Sequence, residues 1–124
     1  MYKLSNKSLK KMEGVHPDLV AVVKRAIEIT EQDFSVTEGL RSVERQKELV
    51  ATGKSTTMNS RHLTGHAVDL VPYPVSWDWE FFYPIADAMK DAAQELGVDL
   101  EWGGDWTSFK DGPHFQLSWR SYDA

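Results

Sequence analysis

The stretch Ser60-Arg61-His62-Leu63-Thr64-Gly65-His66-Ala67-Val68-Asp69-Leu70-Val71 decides how the chain is read. Its second half, His66 to Val71, is apolar and partly β-branched, which predicts a strand ending before Pro72. Asp69 sits inside that run. A carboxylate in a buried strand is costly unless it is paired or bound to a metal. The run itself holds no cation, so the partner of Asp69 is a metal or a basic group brought in from elsewhere. Side chains alternate faces along a strand. Asp69 therefore points with Ala67, and His66 points with Val68, on the wrong face to share an ion with Asp69. His62 precedes Gly65, where a turn can bring its ring back beside Asp69. His62 and His66 also have the i, i+4 spacing of a helical zinc motif, but Leu63 stands where that motif needs Glu, and Gly65 interrupts the helix.

Working outward, Ser5 is a candidate cap for a short helix over 5–13. His16-Pro17-Asp18 opens a stronger helix, with Leu19, Val22, Val23, Ala26, Ile27 and Thr30 at helical spacing. Phe34 to Glu38 alternates like a short strand. Ser42 caps a helix over 43–52, which Gly53 stops. Residues 53–65 read as a long polar loop, with Met58 its main apolar exception. Ser76 or Asp78 caps a helix over 78–96, with Phe81, Phe82, Ile85, Met89, Ala92 and Leu96 facing inward. Val98 to Trp102 and His114 to Leu117 are further strands. About three main helices and four short strands, without strict βαβ alternation, predict an α+β domain spanning residues 1–124.

The chain has 124 residues, no cysteine, and 14 Lys+Arg against 19 Asp+Glu. Disulfides, thiol catalysis and cysteine-bound zinc are excluded. The acidic balance lacks the electrostatic footprint of nucleic-acid binding. No apolar run is long enough for a membrane span, and no secretory signal is visible at the N-terminus. A metal site must use His16, His62, His66 or His114 with carboxylates. His16 lies at a helix start, where a capping or surface role outweighs ligation. His114 follows Pro113 at the start of a strand, and Asp111 lies three residues earlier, across the Gly112-Pro113 bend. His62, Asp69 and His114 would form a His₂Asp zinc site with an open fourth position, with Asp111 as general base and then acid.

Ser60-x-His62-x-x-Gly65-x-Ala67-x-Asp69 followed by Asp111-x-x-His114 resembles the signature of the LAS or M15 zinc peptidases. That family includes D-alanyl-D-alanine carboxypeptidases and dipeptidases, and phage endolysins cutting between L-alanine and D-glutamate. Thr37-Glu38-Gly39-Leu40-Arg41-Ser42, with Gln46 downstream, looks like the family block that carries a substrate-facing arginine. Trp102-Gly103-Gly104-Asp105-Trp106 is similar to the endolysin branch. The resemblance implies a small Hedgehog/DD-peptidase-like domain whose short antiparallel sheet carries one Zn²⁺ per chain. It implies His62, Asp69 and His114 as ligands, Asp111 as catalytic acid/base, and Arg41 as the group that stabilises the oxyanion. An arginine is disfavoured beside the positive end of a helix dipole, which favours that role for Arg41 over an ordinary surface one. Ser60 either orients a ligand or caps a turn. His66 reads as structural or as a donor behind the ligands. Trp102 and Trp106 bracket a Gly-Gly turn and could line a groove, or pack in the core.

The expected function is therefore a zinc-dependent peptidoglycan peptidase that hydrolyses the stem peptide for host lysis, with the L-Ala–D-Glu bond as the expected point of cleavage. The expected protein is a monomeric endolysin with no separate wall-binding domain and no membrane anchor. It would stay in the host cytoplasm until holin pores release it. The alternatives are a D-alanyl-D-alanine carboxypeptidase or dipeptidase on the same scaffold, and a non-catalytic module held together by zinc.

Overall fold

The computed structural model describes residues 1–55, 60–108 and 110–122. Residues 56–59, including Met58, in the middle of the expected 53–65 loop, lie outside the described residues. Among the described residues, four α-helices accompany a four-stranded sheet: α1 (Asn6–Lys11), α2 (Pro17–Ile29), β1 (Phe34–Glu38), α3 (Val43–Ala51), β2 (Ala67–Pro72), α4 (Phe82–Leu96), β3 (Leu100–Trp102) and β4 (His114–Leu117). The strand order is β1-β2-β4-β3. Every pairing is antiparallel.

Local chemistry sets the helix starts. The Ser5 hydroxyl accepts from Ser8 N, and the Ser42 hydroxyl from Arg45 N. Pro17 occupies the first turn of α2, while His16 Nδ1 accepts from Asp18 N at 3.0 Å, so His16 is a cap. The helix expected from residue 78 differs. Trp79–Phe81 form a single 3-10 turn, and α4 begins only at Phe82. The cause is Pro84: in an α-helix already running at residue 80, its ring would meet that residue's carbonyl, and it has no N–H to donate. Neither Ser76 nor Asp78 caps α4. Phe81 is half-buried, and Leu96, in the last turn, is exposed. β2 runs one residue further than expected, because Pro72 sits at the strand end opposite Phe34, where a missing N–H breaks no interior ladder.

The sheet has two unlike faces. Phe34, Val36, Val68, Leu70, Trp102, Phe115 and Leu117 pack against α2 and α4, whose Leu19, Val22, Val23, Ile85 and Met89 are fully enclosed. Alternation along the strands then forces Ala67, Asp69, His114, Gln116 and Glu101 onto the opposite face. The antiparallel register sets Asp69 directly against His114. α1 covers the outer edge of β1. There the Ser8 hydroxyl accepts from Val36 N at 3.0 Å, and Asp33 Oδ1 accepts from Phe34 N at 2.8 Å.

Candidate metal centre and catalytic cleft

The second face floors a cleft of about 850 Å³, walled by residues that include Glu38, Arg41, Lys54, Trp77, Trp106, Lys110, Asp111 and Trp119. At its base His62 Nε2 lies 3.2 Å from Asp69 Oδ1, and His114 Nδ1 lies 3.4 Å from the same oxygen. One ligand atom from each of the three residues falls within 4.8 Å of the others. Tetrahedral zinc with bonds of about 2.0–2.1 Å needs ligands roughly 3.3 Å apart, so the donor set fits with small adjustments.

Each ring is fixed from behind. His62 Nδ1 lies 2.9 Å from Gly39 O, and His114 Nε2 lies 2.8 Å from Gln116 Oε1. The Gly39 carbonyl accepts only, so the Nδ1 proton of neutral His62 belongs there and the Nε2 lone pair faces Asp69. His114 takes the opposite tautomer, with Nδ1 facing inward when the Gln116 oxygen accepts from Nε2. Partners of this kind orient a metal-binding imidazole and raise its basicity.

The elements explain how His62 arrives. The Ser60 hydroxyl accepts from His62 N at 3.2 Å, capping the 3-10 turn Arg61–Thr64. Ser60 is therefore a cap on the turn that carries the ring. Gly65 closes that turn with φ of 76°, and a side chain there would strike the Gly14 carbonyl. Asp111 is placed by the other end of the cleft. Its N–H donates to Gly103 O at 3.0 Å, and Trp102 Nε1 donates to Gly112 O at 2.7 Å. Trp102 is thus buried, stacked on Phe115, and does not line the groove. Trp106 does, with its ring centroid 5.2 Å from that of His114. His66 points away, its Nδ1 at 2.7 Å from Thr64 Oγ1 and its ring beside His16.

Arg41 is no ordinary surface arginine. Its Nε and one terminal nitrogen grip Glu38 at 2.7 and 2.8 Å, and the other donates to Gln46 Oε1 at 2.7 Å. Gln46 is fully buried and donates onward to Ser55 Oγ at 2.9 Å. This clamp leaves the guanidinium 3.9 Å from Asp69 Oδ2. Glu38 and Gln116 carry no role in the sequence reading. Gln116 stands two residues from His114 on a strand, so alternation alone placed them on one face. Glu38 gave only its three-residue spacing from Arg41.

The electrostatics follow from these contacts. Burial works to raise the Asp69 pKa, but the rings of His114 and His62 outweigh it and hold the carboxyl far below the usual range. Burial pulls His114 down, yet the hydrogen bond and charge of Asp69 leave it raised. The Arg41 hydrogen bonds lower Glu38. Asp111 moves upward, through partial burial first and then the negative charge of Asp69. A carboxylate so shifted is suited to taking and returning a proton.

The class this layout defines is the small α+β peptidase with its reactive groups on an antiparallel sheet. Residues 1–118 match the family described as phage L-alanyl-D-glutamate peptidase, and the chain belongs to that family. It is 33% identical over 130 residues to the L-alanyl-D-glutamate peptidase of Escherichia phage T5, an alignment covering 99% of this chain and 94% of that protein. The crystal structure of Serratia marcescens L-Ala D-Glu endopeptidase ChiX is 51% identical, with a TM-score of 0.93 over 98% of this chain and 95% of the other. The vancomycin-resistance D,D-dipeptidase VanXYg, at 19% identity, shares the fold with a TM-score of 0.54 over 83% of this chain and 50% of its own.

Proposed function

We propose that the chain is a zinc-dependent peptidoglycan peptidase that hydrolyses the bond between L-alanine and D-glutamate in the stem peptide. The observation that carries this reading is the convergence of His62, Asp69 and His114 within 4.8 Å, with the outer nitrogen of each ring already engaged. Zinc held by these three residues would polarise the scissile carbonyl and make a water nucleophilic near neutral pH. The chain's own residues do the rest. Asp111 takes the proton from the attacking water and hands it to the departing amine of D-glutamate. Arg41, held rigid by Glu38 and Gln46, neutralises negative charge that develops on the peptide oxygen. Trp106 and Trp119 wall the cleft against which the stem peptide lies. Kinship with phage peptidases supports an endolysin acting on peptidoglycan, and release from the host cytoplasm through holin pores is part of the same proposal.

Mass spectrometry of fragments released from purified sacculi tests the bond assignment. New N-terminal D-glutamate is expected, whereas free D-alanine would support the carboxypeptidase alternative. Asp111→Asn should keep its zinc and lose about 10²–10⁴-fold in rate. An Asn variant as active as the wild type would refute the assigned proton transfer; a wild type that releases no fragments would favour the non-catalytic module.

A further inference from the structure

A second groove, of about 700 Å³, runs along the outer edge of β1, and its lining includes Lys3, Lys7, Lys11, Tyr73 and Val75. Its charge is segregated from the rest of the molecule. Residues 1–12 carry four lysines and no acidic residue, leaving ten basic against nineteen acidic residues in the remainder. Among the described residues no carboxylate pairs with Lys3, Lys7 or Lys11. Asp33 is the acidic member of the lining, and its Oδ1 already accepts from Phe34 N. Tyr73 and Val75 are 59% and 67% exposed, so this part of the lining is open and amphipathic.

The groove and the cleft meet on one strand. Thr37 lines the groove and its neighbour Glu38 lines the cleft. The Thr37 hydroxyl donates to Asp69 O at 3.4 Å, so the two surfaces share a wall at the metal ligand's own backbone. Phe34 N and Val36 N, the outward amides of β1, are taken by Asp33 and Ser8, so the occupant cannot be an added strand.

We propose that this groove is a second binding site for the polymer whose peptide is cut in the cleft. It takes a carboxylate-bearing stretch of peptidoglycan adjacent to the scissile stem. The inference rests on the peptidase reading given above. A glutamate amidated at its nitrogen and through one carboxyl keeps one carboxylate free, so each stem peptide offers an anion to the three lysines. A concave groove suits a chain of a few residues and not the flat face of a bilayer. Site and subsite on one strand would hold a polymer at two points and raise its effective concentration at the cleft.

The test separates binding from cleavage. In an Asp111→Asn background, cosedimentation with purified sacculi at low salt is compared with and without Lys3→Glu, Lys7→Glu and Lys11→Glu together. Three exposed ion pairs predict about a tenfold loss of sacculus affinity on reversal. The salt dependence should flatten at the same time. With Asp111 intact, the triple variant should cleave a short soluble stem peptide at the wild-type rate, because that substrate carries a single stem, which the cleft itself occupies. If the reversals lower the melting temperature, the same three positions changed to Gln carry the comparison, with a smaller loss of the same sign. Sacculus binding indifferent to the lysines would overturn the proposal. So would an equal loss of activity on the short peptide, lysine-dependent binding to phosphatidylglycerol vesicles without binding to sacculi, or a lysine-dependent dimer in sedimentation velocity. A wild-type protein that binds sacculi through the lysines but releases no fragments would instead count against the peptidase reading.

Discussion

At the scale of the residue, the Asp69–His114 pair is a coupled unit, joined by a hydrogen bond and by opposite charge. The sign of its pH dependence follows from His114. Its folded pKa is raised, so its protonated ring stabilises the metal-free fold below the unfolded value of about 6.5, and that contribution disappears as pH rises through the folded value. Zinc requires the neutral ring and competes with that proton. Zinc affinity should therefore strengthen as pH rises from 6 to 8, by about tenfold per unit while one proton is being displaced. Competition with a chromophoric chelator across that range measures it, and a flat profile would contradict the His-Asp-His assignment. Asp69, His62 and His114 were legible in the sequence because strand alternation and the Gly65 turn restrict where their side chains can go. The Arg41 clamp was legible only in part. Its contact with Asp69 joins segments 28 residues apart, and nothing local to Glu38 or Gln46 announces that they hold it.

At the scale of the element, one turn sets where His62 stands. The Arg61–Thr64 turn delivers His62 only because Gly65 can adopt a left-handed conformation flush against Gly14. Gly65→Ala should cost about 1–3 kcal/mol from backbone strain alone, and more from the collision with the Gly14 carbonyl. Thermal unfolding would show the loss of stability, and zinc affinity should fall with it as the ring is displaced. A stable, fully zinc-competent Ala variant would mean that the turn does not position His62. Boundaries were the less legible part of the fold. The delayed start of α4 depends on Pro84, a residue inside the helix whose steric demand reaches back to residue 80. Trp102 shows a similar limit. The sequence placed it beside a Gly-Gly turn, but its burial comes from Phe115, Trp79 and Tyr83, which are contributed by other elements.

At the scale of the whole molecule, the apolar core and the proposed metal site occupy opposite faces of one sheet. The apolar face against α2 and α4 needs no metal, so removing zinc should leave the fold intact. Zinc at about a hundred times its dissociation constant adds roughly 2.7 kcal/mol, and for a domain of this size its removal should lower the melting temperature by about 10 °C. Far-UV circular dichroism at 25 °C should not change, and a metal-stripped protein that reads as unfolded would refute this division of labour. The covered edge of β1 has its own kinetic signature. A peripheral strand ordinarily trades its outward protons with solvent quickly, yet here the hydroxyl at position 8 and the carboxylate at position 33 occupy two of them. In deuterium the amides of Phe34 and Val36 should persist like those of an interior strand, and Ser8→Ala should release Val36 alone, leaving the sheet with one donor open to a neighbouring chain.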